Sequence, residues 1–339
     1  MRGRTVEWFR GPGAEYALFL VTFVCALAIV PLMLIVLARL IRPDTNIIFI
    51  WLNSYTFWIY LPAYPIAIFA VAARRWLLIP PAVFVIGFHL WWVLPDYTSG
   101  RPLPAEAETA PAFRLVTANS LYGNTRLEDF AAALSAQEPD VLFLQEYDRR
   151  VATALAEAGL ADALPHSREA YAPGWRTGIA VYSRFPLENL EVLFVTNRPV
   201  IRADISVDGA ELRIYNIHSV SPGGRWTVNP WNQGWRDYIE LFGSESAPFI
   251  VAGDFNMTQH HRWYGELKEI GLKNCHEERG RGNATTWPYG AGRLLYTILP
   301  PIRIDHVFAS DGATCTSISE GEAIGSDHRP VIADIAILP

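Results

Sequence analysis

Hydrophobic positions follow two different patterns along this chain of 339 residues. Near the N-terminus, three uncharged and mainly apolar runs of 23, 29 and 20 residues occupy positions 16–38, 45–73 and 76–95. A bilayer core about 30 Å thick is crossed by about 20 helical residues, so each run is long enough. The pattern predicts three transmembrane helices at about 16–38, 47–72 and 76–95. Buried helices of a soluble core are the alternative, but three such runs in succession favour the membrane.

Arginine residues beside these runs predict the orientation of the chain. Five lie before the first run or between the second and third, against three on the other side. Because basic flanks tend to stay in the cytoplasm, this modest bias predicts that the N-terminus lies there and that the chain after the third helix lies outside, which in a Gram-negative bacterium is the periplasm. The Pro- and Ala-rich segment 99–112 is typical of a linker. We therefore expect a membrane anchor at 1–98 and a second domain at 113–339.

From position 113 onward the apolar runs are short, and some show helical spacing whereas others have the length of strands. Leu127, Phe130, Ala131 and Leu134 recur at helical spacing and predict an amphipathic helix at 125–137. Further helices are predicted at 229–242 and 260–270, and strands at 113–119, 140–145, 178–183, 201–207, 212–218, 248–253, 303–309 and 330–337. This is an α/β pattern. The hairpin signal at Asp208 favours a two-sheet sandwich over a wholly parallel sheet.

Composition and charge separate the same two parts of the chain. The sequence is 51% hydrophobic and 18% charged, which excludes a disordered protein or a small disulfide scaffold. Residues 1–100 hold 7 basic and 4 acidic side chains, net +3, and the remainder holds 21 and 30, net −9. A nuclease gains affinity by neutralising phosphates, yet this second part has only Lys268 and Lys273 as lysines. The charge argues against a tight nonspecific nucleic-acid binder.

Polar residues recur where the short apolar runs end. Asn119 ends FRLVTAN, Glu146 ends VLFLQE, His218 ends LRIYNIH, and Asp254 with Asn256 ends PFIVAGDFN. In addition, Asp305 interrupts IRIDHVF, and Asp327 with His328 lies in GSDHRP just before the last strand. Each alone has an ordinary explanation, such as a turn or a surface carboxylate. Because side chains at strand ends open into the crevice above a sheet, the whole series predicts one shared site.

The series LVTAN, LFLQE, YNIHS, GDFN, RIDHVF and SDHRP resembles the endonuclease/exonuclease/phosphatase superfamily. That superfamily includes pancreatic deoxyribonuclease, abasic-site endonucleases, inositol polyphosphate phosphatases and neutral sphingomyelinases. The joint occurrence of GDFN and SDHRP is the strongest part of the likeness, which covers about 113–337 and leaves the first hundred residues outside. The resemblance implies a four-layered α/β sandwich that hydrolyses phosphate esters with the help of a divalent metal.

The resemblance also implies which residues hold the metal. Glu146 would be the main ligand of Mg²⁺, with Asn119 and Asp327 beside it, and Mn²⁺ is the alternative ion. Oxygen ligands suit such hard cations. A closed zinc site is disfavoured because the sequence has no Cys or His cluster of the required spacing.

The remaining motif residues receive catalytic roles from the same resemblance. Asp254, oriented by Asn256, would position or deprotonate the attacking water. His328 would face the phosphoryl oxygens, and Asp305 would accept the other ring N–H of His328. His218 would hydrogen-bond the phosphate or assist the leaving group. His306 is expected to be structural.

The substrate is the least specific part of the prediction. Trp226, Trp287 and Arg293 lie in loops beside the motifs and are candidate substrate-binding residues. The leading hypothesis is a membrane-anchored phosphodiesterase or phosphatase acting on a lipid headgroup. The second is an extracytoplasmic endo- or exonuclease for DNA or RNA, and the third is a non-catalytic, anion-binding membrane protein. Cys275 and Cys315 either form a disulfide or remain buried thiols, and the sequence leaves both open.

Overall fold

The computed structural model of the protein describes residues 12–41, 44–98, 100–174, 177–290 and 298–339. Its contacts divide into two compact units. The helical unit comprises the described parts of Met1–Pro43 and Tyr55–Leu94, and the sheet unit comprises those of Asp44–Ser54 and Pro95–Pro339. The sequence-based boundaries put positions 44–54 in the anchor, whereas the contacts group this segment with the sheet unit.

The first five helices among the described residues are apolar. They are α1 (Pro12–Ile41), α2 (Ile47–Ser54), α3 (Thr56–Ile59), α4 (Ala63–Ala72) and α5 (Ile79–Thr98), with a 3₁₀ turn at Trp76–Leu78 before α5. Two helical stretches, Gly13–Ile41 and Trp76–Thr98, are long and apolar enough to cross a membrane. The predicted span at 47–72 is divided into shorter helices, with a break after Ser54. It counts as a third span only if Ile47–Ser54 and Thr56–Ala72 are taken as one bent pair.

The sheet unit contains two six-stranded sheets. The first has the order β11-β12-β1-β2-β4-β3 and the second β5-β6-β7-β8-β10-β9. The strands are β1 (Ala112–Asn119), β2 (Val141–Tyr147), β3 (His166–Tyr171), β4 (Gly178–Ser183), β5 (Glu188–Val195), β6 (Arg198–Val207), β7 (Ala210–His218), β8 (Phe249–Asp254), β9 (Lys273–Asn274), β10 (Asp305–Ala309), β11 (Ala313–Glu320) and β12 (Val331–Ile337). The predicted turn at Asp208 joins β6 to β7, and Asp208 adopts the positive φ of 50° that such hairpins need.

Helices cover the outer face of each sheet, and apolar side chains fill the space between the sheets. Besides α2, the described helices of this unit are α6 (Leu127–Ser135), α7 (Arg149–Glu157), α8 (Leu160–Ala163), α9 (Val228–Gly243), α10 (Arg262–Glu269) and α11 (Cys275–Glu278). Phe130 and Leu155 pack from α6 and α7 onto the first sheet, and Trp235 and Trp263 pack from α9 and α10 onto the second. The predicted four-layered α/β sandwich is confirmed.

Cys275 in α11 and Cys315 in β11 form a disulfide, with Cα atoms 5.5 Å apart and a separation of 40 positions in the sequence. Closing a loop of this length stabilises the folded state by about 4 kcal/mol in the loop-entropy model.

We expect Cys315→Ala to lower the free energy of unfolding by about 4 kcal/mol, and a reducing agent to have the same effect on the unaltered protein. Thermal unfolding with and without reductant measures both. Cys25→Ala, at a free cysteine of the helical unit, is the control. Equal stability of Cys315→Ala and wild type would contradict the prediction.

Candidate active site

The central strands of both sheets end at one pocket of the sheet unit, which has a volume of about 350 Å³. β1 runs parallel to β2 and β7 runs parallel to β8, so the carboxyl ends of each pair lie at the same edge of their sheet. Six of the motif residues predicted from the sequence line this pocket, namely Glu146, His218, Asp254, Asn256, Asp327 and His328. The other two, Asn119 and Asp305, hydrogen-bond to members of that group. The structure therefore brings all eight together.

Buried polar contacts hold the two sheets in register below the pocket. Gln145 of β2 donates a hydrogen bond to Asn216 Oδ1 of β7 over 2.8 Å, and both side chains are fully buried. Gly253 lies beside this contact with a φ of 140°, and a β-carbon at this position would come within 2.0 Å of the carbonyl oxygen of Ile217. Only glycine fits such an approach of two backbones. The glycine of GDFN therefore allows β8 to bring Asp254 to the site.

Asp254 is a buried carboxylate held by two donors. Asn119 Nδ2 donates to Asp254 Oδ2 over 3.1 Å, and the backbone N–H of Asn256 donates to Asp254 Oδ1 over 2.9 Å. The side chain of Asn256 instead donates to the carbonyl oxygen of Ser219, so Asn256 orients the carboxylate through its main chain. Burial raises the pKa of Asp254 to about 7; His328 opposes this shift, whereas the charge of Asp305 reinforces it. A carboxyl group of this pKa can accept a proton near neutral pH.

Asp305 and His328 form a buried pair. Asp305 begins β10 directly opposite Asp254 in the antiparallel register, and its Oδ2 lies 2.9 Å from His328 Nδ1. Burial alone would lower the pKa of His328, but the carboxylates of Asp305 and Asp254 outweigh it and raise that pKa to about 10. His328 is therefore an imidazolium at neutral pH. Its Nε2 lies 3.8 Å from Asp254 Oδ2.

The second histidine of the pocket, His218, is neutral. Burial, together with the positive charges of Arg198 and His328, lowers the pKa of His218 to about 3, so its ring is neutral at physiological pH. His218 Nε2 lies 3.5 Å from Asp254 Oδ2. His306, the neighbour of Asp305, is fully buried away from the pocket, with its Nε2 3.0 Å from the carbonyl oxygen of Met257. This position agrees with the structural role expected for His306.

Glu146 is aimed into the pocket by an irregularity of its strand. The register of β2 with β4 shifts between Gln145 and Tyr147, and Glu146 has a φ of 52°, in the left-handed region. A bulge of this kind redirects a side chain that would otherwise alternate with its neighbours. The backbone N–H of Tyr122 donates to Glu146 Oε2 over 2.6 Å, and Asn119 Nδ2 lies 3.3 Å from Glu146 Oε1. In this orientation Asn119 links the carboxylates of Glu146 and Asp254 as a donor, and its own oxygen accepts from the backbone of Leu121.

The predicted substrate-binding residues lie in different places. Trp287 lines the pocket and donates its indole N–H to Asp327 Oδ2 over 3.2 Å. Trp226 is 82% exposed and does not line the pocket, so the structure does not support its predicted contact with substrate. Arg293 lies outside the described residues. The sequence analysis missed the apolar part of the lining, which comprises Ile50, Trp51, Leu121, Ile302 and Ile304.

Comparison with known families identifies this arrangement. A model described as the Endonuclease/Exonuclease/phosphatase family matches residues 116–328, more than half of the chain. The chain belongs to this family. Members of the endonuclease/exonuclease/phosphatase family are metal-dependent phosphoric ester hydrolases, and this protein is an enzyme of that class. No curated protein sequence matches the chain.

Solved structures of the family share the fold of the sheet unit. A protein from Beutenbergia cavernae is 19% identical, with a TM-score of 0.52 over 67% of this chain and 72% of its own. TDP2 from Caenorhabditis elegans is 18% identical, with a TM-score of 0.54 over 84% of this chain and 87% of its own. TDP2 from D. rerio, complexed with single strand DNA product, is 15% identical, with a TM-score of 0.53 over 66% and 98%. At these identities the likeness shows the fold alone.

The charges of the pocket fit a divalent cation. Among the described residues, Glu146, Asp254 and Asp327 line the pocket and no Lys or Arg does. An anionic phosphate ester would be repelled by these carboxylates unless a cation were bound between them. Asp254, Asp305 and His328 have ligand atoms within 4.8 Å of one another and could hold a metal ion. However, the ring of His328 is protonated and Asp305 already pairs with it.

Proposed function

We propose that this protein is a membrane-anchored, Mg²⁺-dependent phosphoesterase that attacks a lipid headgroup ester with an activated water. The main support is the pocket itself, in which buried acidic groups, one charged histidine and one neutral histidine lie together without a Lys or Arg among the described lining residues. The two long apolar helices support the anchor. Such an anchor would keep the enzyme at a bilayer, where phosphate esters of lipids are concentrated.

Each polar residue of the pocket has a role in this proposal. Glu146 would hold Mg²⁺ or Mn²⁺ with Asp327 nearby, and the ion would polarise the phosphoryl group and withdraw charge from its oxygens. Asp254 would accept the proton of the attacking water. His328, kept protonated and oriented by Asp305, would donate a hydrogen bond to the phosphoryl oxygen as negative charge develops there.

The neutral ring of His218 lies beside Asp254 and would offer its N–H to another phosphate oxygen. Asn119 would keep the carboxylates of Glu146 and Asp254 at a fixed separation, because one amide group donates to both. This set of residues favours catalysis over mere anion binding, since every catalytic position is filled.

Two independent features support an extracytoplasmic sheet unit. The disulfide between Cys275 and Cys315 is typical of proteins that fold in an oxidising compartment. The excess of arginines on the N-terminal side of the anchor favours the same orientation.

The substrate class can be tested by comparing the hydrolysis of phospholipids with that of nucleic acids. The purified full-length protein in mixed micelles with Mg²⁺ is expected to release phosphate-containing headgroups from phospholipids and to leave single-stranded DNA and RNA intact. The net charge of −9 after position 100 is the reason for this ranking. Rapid, salt-sensitive cleavage of DNA without lipid turnover would favour the nuclease alternative, for which the DNA complex of D. rerio TDP2 is the precedent. No hydrolysis of any phosphate ester with Mg²⁺ or Mn²⁺ would refute both.

A further inference from the structure

Helix α2 (Ile47–Ser54) is built into the sheet unit although its composition is that of a membrane span. Asn46 caps its first turn, since Asn46 Oδ1 accepts from the backbone N–H groups of Ile48 and Phe49 over 3.0 and 3.2 Å. Ile50 is fully buried in the core that includes Trp231 and Trp263. A helix of eight residues gains little stability by itself, so this packing and capping hold it in place.

Polar contacts fix α2 against the start of α10 and against α9. The buried carboxylate of Asp44 accepts from the backbone N–H of Arg262 over 2.8 Å and from Asn53 Nδ2 over 2.7 Å. Asn232 Nδ2 donates to the carbonyl oxygen of Asp44 over 3.1 Å. His261 Nε2 lies 3.0 Å from the carbonyl oxygen of Ile50. Such contacts at both ends give the helix one defined position relative to the active site.

This position places α2 in the wall of the catalytic pocket. Ile50, Trp51 and Ser54 line the pocket together with Ile302, Ile304 and the catalytic residues. The indole N–H of Trp51 donates to the carbonyl oxygen of Pro222 over 3.1 Å, which fixes the ring while 37% of the residue stays exposed. The pocket lining therefore combines carboxylates and histidines, which suit a phosphate, with an apolar surface that a free phosphate would leave unused.

We propose that α2 is a substrate-binding element and that Trp51 packs against an apolar acyl, alkyl or aromatic group esterified to the scissile phosphate. The inference rests on the proposed phosphoesterase function and narrows its substrate to amphiphilic esters. A group that covers Trp51, Ile302 and Ile304 removes apolar surface from water on both partners, which favours longer substituents. Helix α2 thus selects the substrate, and the motif residues carry out the reaction.

Two diesters with the same leaving group test this selection. Methyl p-nitrophenyl phosphate and hexyl p-nitrophenyl phosphate differ only in the group that Trp51 would contact. With full-length protein in nanodiscs and Mg²⁺, we expect wild type to prefer the hexyl ester by about ten-fold or more in kcat/KM, mainly through KM. Trp51→Ala should lower this ratio towards one. Trp51→Phe should keep most of it, because the ring remains. Phe194→Ala, at a 53% exposed aromatic residue of β5, should leave the ratio unchanged.

The possible results separate the two proposals. A wild-type ratio near one, or an unchanged ratio in Trp51→Ala, would overturn the role of α2 and leave the phosphoesterase function intact. An equal fall in Trp51→Ala and Trp51→Phe would assign the effect to the hydrogen bond to Pro222 and would also overturn the packing role. If Trp51→Ala does not fold, Trp51→Leu measures the same ratio. No turnover of either ester by wild type would refute the function on which the inference rests.

Discussion

Asp254→Asn is expected to lower the turnover of a phosphate ester by about 10³-fold while the protein stays folded. The amide has the shape of the carboxylate and can still accept the hydrogen bond that the backbone of Asn256 donates to Oδ1. It cannot accept a proton from water. Burial raises the pKa of Asp254 to about 7, which means that ionisation of this carboxyl group destabilises the folded state. We therefore expect the melting temperature to be unchanged or higher.

The matched control is Asp334→Asn. Asp334 lies on β12 and pairs with Arg114 over 2.8 Å, outside the catalytic pocket. The same chemical change there should leave kcat and KM at wild-type values. Steady-state kinetics and thermal melting of both variants test whether the loss of turnover is specific to Asp254. Full activity of Asp254→Asn would show that another group accepts the proton, and joint loss of activity and folding would show that Asp254 is mainly structural.

The parts of the fold that the sequence predicted well are buried strands. β1, β2 and β8 are covered on both faces, so their residues form continuous apolar runs that end in a polar residue. The missed strands β3, β5, β9 and β11 are the edge strands of the two sheets. β3 and β11 are largely polar, β9 has only two residues, and β5 is mainly apolar but has one buried residue out of eight. An edge strand is exposed along one side and carries little hydrophobic pattern. Asn119, Glu146, His218 and Asp254 were predictable because they lie at or near the carboxyl ends of buried strands.

Helix α2 was assigned to the membrane for a physical reason. Ile47, Ile50 and Trp51 would suit a lipid environment as well as a protein core, and composition alone does not distinguish the two. The distinguishing signals were the polar residues Asp44 and Asn53, whose hydrogen bond in the sheet unit becomes apparent only in three dimensions. The bulge that turns Glu146 into the pocket is likewise a matter of strand register.

Glu146→Gln is expected to raise the Mg²⁺ concentration needed for half-maximal activity by at least about ten-fold, and by more than any neighbouring substitution in the pocket. The reason is charge: the described lining offers carboxylates to a cation but no Lys or Arg to a phosphate, so the substrate depends on the metal. Chelation with EDTA should abolish turnover in wild type, and added Mg²⁺ or Mn²⁺ should restore it.

Binding can be separated from turnover by measuring the melting temperature against Mg²⁺ concentration, because an ion that binds the folded state stabilises it. Wild type should show a rise that Glu146→Gln lacks at the same concentrations. Glu211→Gln, at an exposed position on β7, is the matched control and should behave as wild type. If Asp305→Asn instead removes the rise while Glu146→Gln keeps it, the ion binds between Asp254, Asp305 and His328. In that case His328 would have to lose its proton to become a ligand. The proposal that Glu146 holds the metal while a protonated His328 contacts the phosphate would then be wrong.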